Sequence, residues 1–432
     1  MDIRYHITGG VPLQGEVTIS GSKNAALPMI AASVLVAGET TLHNVPRLRD
    51  TELLLRILEF LGAKTDFQNG TVRIDATNVE SKPIPAELVS KLRGSIVLLG
   101  PLLARFGVVQ MSYPGGCVLG KRPVEAHVLA LEQMGAVNMS TPETLHLQGS
   151  LKAGRIIMPA FSVTATEIAL LAAAGTPGET RIDIATTEPH VQAVARMVRS
   201  MGAEVAGIGT NTIVIHGTDA LKPVDCRVPF DYLEAGCFVI AALVTKGKLR
   251  LKQVDADDLI VFLDNIKRAG GVWKYDASEQ TLFVDGELSI MNAMNIQTGI
   301  HPGFPTDLQA PMGVLMTQSK GVSRIFECIF EGRMAYLYEL EKMGAHVEIL
   351  NARQALIIGP TPLRGRLVAS NDIRAGAAMV LAGLCAEGQT TITDVHYIER
   401  GHDRLDEKLR SVGAKIERVV VDNVPSANST QL

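Results

Sequence analysis

One short phrase recurs six times along this chain, each time closing a segment with helical periodicity. It reads Leu-Gly-Ala around Gly62, Met-Gly-Ala around Gly135, Gly202 and Gly344, Ala-Gly-Gly around Gly270, and Val-Gly-Ala around Gly413. The glycines fall roughly 70 residues apart, longer than a solenoid repeat but detectable on the same logic. Such a chain folds as six copies of one small unit.

Each copy runs in the same order. Apolar stretches at residues 25–36, 95–106, 165–174, 233–244, 307–317 and 374–386 come first. They are rich in Ala, Leu and Met and apolar nearly all round, which predicts fully buried helices. A glycine turn and a β-rich run follow, as in Gly38-Glu39-Thr40-Thr41-Leu42 and Gly388-Gln389-Thr390-Thr391-Ile392. An amphipathic helix then ends at the repeated glycine, acting as a left-handed cap, and two alternating strands complete the unit. The expected class is α/β, in units of helix, strand, helix, strand, strand. Helices more apolar than the strands place the helices inside and the sheets outside.

A chain of 432 residues is too long for one small core and divides most economically into two domains of three units. It is 47% hydrophobic without an apolar run of membrane-spanning length, so neither membrane insertion nor a signal peptide is expected. Five scattered cysteines, Cys117, Cys226, Cys237, Cys328 and Cys385, form neither a disulfide framework nor a zinc pattern, and a cytoplasmic setting follows. A net charge of −4 gives no support to nucleic-acid binding. No dinucleotide or P-loop motif opens a helix, so no cofactor is expected. Residues 423–432 are polar and are expected to be a disordered tail.

Where the units diverge, chemistry concentrates. The starts of the buried helices carry Lys23, Asn24, Arg93, Ser162, Val163, Thr164, Asp231, Asp307 and Arg374, and the loops after the first strands carry Cys117, Arg122, Pro123, Val124, Arg333 and Arg400. Equivalent ends of equivalent elements share one rim of each domain. If two such rims face each other, Lys23, Arg93, Arg122, Arg333, Arg374 and Arg400 meet Asp231 and Asp307 in one cationic cleft. Helix N-termini add amide donors, so an anion with phosphate and carboxylate groups is the expected ligand. Each arginine alone could equally be a solvated charge. Cys117, between Gly115-Gly116 and Gly120-Lys121-Arg122, has the setting of a reactive thiol, whereas the other four cysteines read as inert core. Asp307 and Asp231 read either as first-turn helix carboxylates or as functional groups.

The motifs Gly21-Ser22-Lys23-Asn24, Pro114-Gly115-Gly116-Cys117 with Gly120-Lys121-Arg122-Pro123-Val124, His301-Pro302-Gly303-Phe304-Pro305-Thr306-Asp307, Phe330-Glu331-Gly332-Arg333 and Glu399-Arg400-Gly401 stand in order along the chain. With them the chain resembles the UDP-N-acetylglucosamine enolpyruvyl transferases over almost its whole length. The resemblance implies two inside-out α/β barrel (prism) domains, residues 22–229 and residues 1–21 with 230–422. It also implies transfer of the enolpyruvyl group of phosphoenolpyruvate to the 3-hydroxyl of UDP-N-acetylglucosamine with release of phosphate, the first committed step of peptidoglycan synthesis. A monomer is expected.

By the same resemblance, Cys117 is the general acid and the target of fosfomycin, and Asp307 is the base for the sugar hydroxyl. Lys23, Arg122 and Arg400 hold phosphoenolpyruvate, while Arg93, Arg333 and Arg374 support charge and domain closure. Asn24 contacts the sugar, and Arg122, Pro123, Val124, Ser162, Val163 and Thr164 line the uridine diphosphate site. The chain departs from the family pattern at Glu125, Ala126, Thr164, Tyr232, Gly332, Glu399 and His402. Two alternatives stay open: a paralogue with another acceptor, such as shikimate phosphate, and a nucleotide-sugar-binding protein without turnover. Against the first, Lys91-Leu92-Arg93-Gly94-Ser95-Ile96 stands where the shikimate enzymes carry a Gly-Asn-Ala-Gly-Thr-Ala motif.

Overall fold

All six repeated glycines adopt left-handed backbone, with φ of 109° at Gly62, 97° at Gly135, 119° at Gly202, 102° at Gly270, 98° at Gly344 and 99° at Gly413. A side chain in this region costs about 1–2 kcal/mol, so glycine is the residue that stops each helix. At the first, Gly62 donates its N–H to the Glu59 carbonyl at 3.0 Å and Ala63 donates to Leu58 at 2.9 Å, satisfying carbonyls the helix end would orphan. The helices so ended are Arg49–Leu61, Glu125–Gln133, Pro189–Met201, Ile260–Arg268, Tyr336–Lys342 and Leu405–Ser411.

The structure, a computed structural model, describes residues 2–115 and 124–421. It divides into two units, one of Met1–Thr18, Leu233–Thr298 and Thr306–Leu432, the other of Ile19–Tyr232 with Gly299–Pro305. Among the described residues there are six sheets, three in each unit. Five have four strands and one has three.

Buried helices fill the interior, as their all-round apolarity requires. Every residue of 165–174 in the helix Val163–Ala174 is buried, as is every residue of 374–384 in Ile373–Cys385. In the strands, by contrast, inward residues alternate with outward ones, as in Thr212–Gly217, where Ile213 and Ile215 are buried. No helix among the described residues is long and apolar enough to cross a membrane.

Two features were not read from the sequence. Short strands precede several buried helices: Arg155–Ile157 runs parallel to Gly178–Asp183, Asn295–Gln297 to Gly321–Phe326, and Leu367–Ala369 to Gln389–Thr393. Each parallel pair is joined across its helix in the way parallel strands demand. At three residues these strands are too short for alternation to stand out. The second feature concerns the sixth unit, which among the described residues forms one strand after Gly413, Lys415–Val421, rather than two. Its missing partner is Asp2–Thr8, inserted antiparallel between Gln389–Thr393 and Lys415–Val421.

Candidate active site

In the unit built from Ile19–Tyr232, Lys23 is the first residue of the helix Lys23–Ala32, capped by Ser22, whose Oγ accepts from the Ala25 amide at 3.4 Å. Its side chain is buried and its Nζ lies 3.6 Å from Asp50 Oδ2, itself buried in the first turn of Arg49–Leu61. Asp50 was not singled out from sequence, because an acid in a helix's first turn reads as ordinary capping chemistry. Asn24 is half-buried beside it. Arg93 opens the helical run 93–106 and donates from Nη1 to the Pro114 carbonyl at 3.1 Å. Arg93 thus holds the chain just before residues 116–123. Cys117, Arg122 and Pro123 lie outside the described residues.

Val124 and Thr164 are brought together by His127. The ring Nδ1 is 3.2 Å from the Val124 carbonyl and Nε2 is 2.7 Å from Thr164 Oγ1. Burial lowers the His127 pKa to about 4, with Arg93 adding to the effect, although the Val124 contact pulls the other way. The ring is therefore neutral at physiological pH. Its Nδ1–H donates to Val124, and Nε2 accepts from the Thr164 hydroxyl. Thr164, one of the departures from the family pattern, has its hydroxyl committed to this contact. Ser162 and Val163 are half-buried at the same helix start, the Ser162 carbonyl accepting from Thr166 Oγ1 at 2.8 Å. Asp231 is buried, and its amide donates to the Ser20 carbonyl at 2.8 Å. Tyr232, where the family pattern has arginine, is buried too.

In the other unit, three of the expected residues converge. Asp307 sits in the turn Thr306–Leu308 that leads into the helix Gln309–Thr317. Its Oδ1 is 2.6 Å from Arg333 Nη2 and its Oδ2 is 2.9 Å from Arg374 Nη2. Arg333 Nη1 also donates to the Thr306 carbonyl at 3.1 Å. Both arginines are buried, so they are not the solvated charges that either could have been. Burial alone would raise the Asp307 pKa. The Arg374 and Arg333 guanidiniums overcome this and hold the carboxyl well below the usual carboxylate range. Asp307 is thus an ion-paired group rather than a simple helix cap. The helix that carries Arg374, Ile373–Cys385, has its own cap in Asp372, which accepts from the amides of Arg374 at 2.7 Å and Ala375 at 3.0 Å.

Arg400 is half-buried at the end of the short helix His396–Glu399. A Cβ on the following Gly401 would lie 2.1 Å from Ile373 Cγ2, so glycine lets this segment close against the helix that carries Arg374. The departure Glu399 is engaged by Arg418, whose Nε and Nη2 donate to it at 3.1 and 2.9 Å. Gly332 has φ of 82°, and His402 is buried. Of the four other cysteines only Cys237 is buried, and Cys226, Cys328 and Cys385 are half-buried. Among the described residues no three His, Cys, Asp or Glu side chains are grouped as a metal site.

A profile of the EPSP synthase (3-phosphoshikimate 1-carboxyvinyltransferase) family matches residues 7–409. The chain is 40% identical over 420 residues to the UDP-N-acetylglucosamine 1-carboxyvinyltransferase of Chlorobium phaeovibrioides, covering 96% of this chain and 98% of that protein. It is likewise 40% identical over 418 residues to the protein of that name from Escherichia coli, covering 96% and 99%. Among solved structures, the enolpyruvyl transferase NikO from Streptomyces tendae superposes with a TM-score of 0.88 at 25% identity, over 98% of this chain and 100% of that one. EPSP synthase from Acinetobacter baumannii shares the fold, with a TM-score of 0.75 at 20% identity over 97% and 100%. The six-unit architecture, the motif residues and these likenesses agree: the chain belongs to the EPSP synthase family of enolpyruvyl transferases, among the UDP-N-acetylglucosamine 1-carboxyvinyltransferases.

Proposed function

We propose that this protein transfers the enolpyruvyl group of phosphoenolpyruvate to the 3-hydroxyl of UDP-N-acetylglucosamine, releasing phosphate, as the first committed step of peptidoglycan synthesis. The observation that carries the reading is the placement of basic side chains in the first turn of buried helices, Lys23 in Lys23–Ala32 and Arg374 in Ile373–Cys385. A cation there adds to the positive end of the helix dipole, and although each has a carboxylate beside it, Asp50 for Lys23 and Asp307 for Arg374, the first turn still presents amide donors and positive potential to an approaching anion. The donor substrate carries a phosphate and a carboxylate. The choice of acceptor rests on the relatives.

In this reading Lys23, Arg122 and Arg400 hold phosphoenolpyruvate. Asn24 contacts the sugar, and residues 122–124 and 162–164 line the nucleotide site, the His127 bridge fixing Val124 to Thr164. Cys117 donates a proton to the methylene carbon, which leaves the neighbouring carbon cation-like. The sugar oxygen bonds to that carbon as Asp307 takes the hydroxyl proton. Breaking the carbon–oxygen bond to phosphate and losing a methyl proton then restores the double bond. Fixed guanidinium charges stabilise the anion that leaves. Asp307 is a weak base while both its oxygens are ion-paired. An anionic substrate group that draws one guanidinium away frees an oxygen and raises its proton affinity at the moment it is needed.

Thiol alkylation tests the site. Burial pushes the Cys226 thiol up to about 11, with Asp225 adding to the effect, and pushes Cys385 up to about 12, so both stay protonated at neutral pH. Fosfomycin is expected to modify Cys117, faster with UDP-N-acetylglucosamine present, as read by peptide mass mapping. Modification at another cysteine, or none, contradicts the assignment.

A further inference from the structure

Glu327 is fully buried, directly after the strand Gly321–Phe326, and among the described residues it forms no ion pair. Burying a carboxylate without a counter-charge is costly unless donors converge on it. Four do. Its Oε1 accepts from Thr298 Oγ1 at 2.9 Å and from the amides of Ile329 at 2.8 Å and Phe330 at 3.1 Å, while Oε2 accepts from Thr306 Oγ1 at 2.9 Å. The donors come from two segments. Thr298 and Thr306 flank Gly299–Pro305, and Thr306 immediately precedes Asp307. Ile329 and Phe330 begin the turn that ends in Arg333.

The one side chain therefore ties together the two backbones that carry the shortest contact of the charged cluster, Asp307, one residue after Thr306, to Arg333, three residues after Phe330, at 2.6 Å. Thr306 is held from both sides: its hydroxyl donates to Glu327 and its carbonyl accepts from Arg333 Nη1. Glu327 itself is fixed along the backbone, its amide donating to the Arg353 carbonyl at 2.8 Å and its carbonyl accepting from Arg353 Nη1 at 3.3 Å. A hydrophobic residue could fill the same volume but could not take four hydrogen bonds from two loops.

We propose that Glu327 is a positioning residue for enolpyruvyl transfer, setting the geometry of the Asp307–Arg333 pair through Thr306 and residues 329–330. The proposal rests on Asp307 acting as base. The charged groups facing Asp307 are Arg333, from the turn Arg333–Ala335, and Arg374, from the helix Ile373–Cys385. Loosening Arg333 lets the Asp307 proton affinity rise, so its unprotonated form is lost at higher pH.

The test compares Glu327→Ala, Glu327→Gln, Thr306→Val and Asp307→Asn with the wild type, measuring kcat, KM for UDP-N-acetylglucosamine and the pH profile of kcat. Glu327→Ala is expected to lower kcat by about 10²-fold, the scale of a small misplacement of a reacting group, with KM changed less than about threefold on the same principle of unaltered ground-state binding. Its acidic limb is expected to move to higher pH. Thr306→Val is expected to do the same to a smaller degree, and Glu327→Gln, whose amide oxygen still accepts from residues 329 and 330, to recover most of kcat. An unmoved acidic limb, or a rise in KM that accounts for the whole loss, overturns the proposal. If Glu327→Ala does not fold, Thr306→Val decides by the same criterion. Acid unfolding of Thr306→Val, Asp307→Asn and their double variant needs no turnover: an effect of Thr306→Val that vanishes in the Asp307→Asn background supports the coupling, and strict additivity contradicts it. Turnover undiminished in Asp307→Asn would instead sink the reading of Asp307 as base, whatever the cycle gives.

Discussion

Two buried acids, Asp307 and Glu167, behave in opposite ways, and the difference lies in what faces them. At Asp307, two guanidiniums outweigh burial and lower the proton affinity. At Glu167, which has no such partner, burial raises the pKa well above the usual range and the neighbouring Glu188 adds to the rise. Burial raises Glu188 as well, although the amides of Glu188, His301 and Thr187 and the Thr186 hydroxyl counter it. An acid whose native proton affinity is raised stabilises the fold below its unfolded pKa, about 4.3 for glutamate. That contribution is lost as pH rises through the native value. Glu167→Gln, permanently neutral, is therefore expected to stabilise the protein at pH 8, on the order of 1 kcal/mol, and to change little at pH 5. Thermal melts at the two pH values check this, and equal effects at both would contradict it. Glu167 was invisible in the sequence because it stands alone in the apolar run 165–174, where periodicity reports burial but not charge. Asp307, Arg333 and Arg374 were legible as candidates, but their mutual pairing was not, since 26 residues separate the first two and spacing says nothing about contact.

The repeated glycines were the clearest signal in the chain, and as elements the capped helices follow them closely. A left-handed cap is a local requirement, so a local phrase can encode it. The cost of replacing the glycine depends on what surrounds it, which the phrase does not encode. At Gly413 a Cβ would meet nothing within 4 Å, whereas at Gly270 it would lie 2.2 Å from the Ile290 carbonyl oxygen. Gly413→Ala is therefore expected to lose only the backbone term, about 1 kcal/mol, and Gly270→Ala distinctly more. Urea denaturation of the two variants measures the difference, and equal losses would contradict the steric term. The short parallel strands escaped sequence reading for the complementary reason: they are held by pairing to a distant strand rather than by their own pattern.

At the scale of the whole chain, the sixth unit borrows Asp2–Thr8 from the N-terminus, so the first strand and the last belong to one sheet. Repeat counting along the sequence finds units in order and cannot see one completed from the other end. The proposed reaction likewise assigns roles to distant parts of the chain, to Lys23, Asn24 and Cys117 in its first third and to Asp307, Arg374 and Arg400 in its last. The measurement that tests this most directly is phosphate release from phosphoenolpyruvate, with UDP-N-acetylglucosamine or shikimate phosphate as acceptor, in the wild type and in Cys117→Ser. Release with the nucleotide sugar alone, impaired in Cys117→Ser, is the predicted result. Release with shikimate phosphate, or with neither acceptor from folded protein, would contradict it.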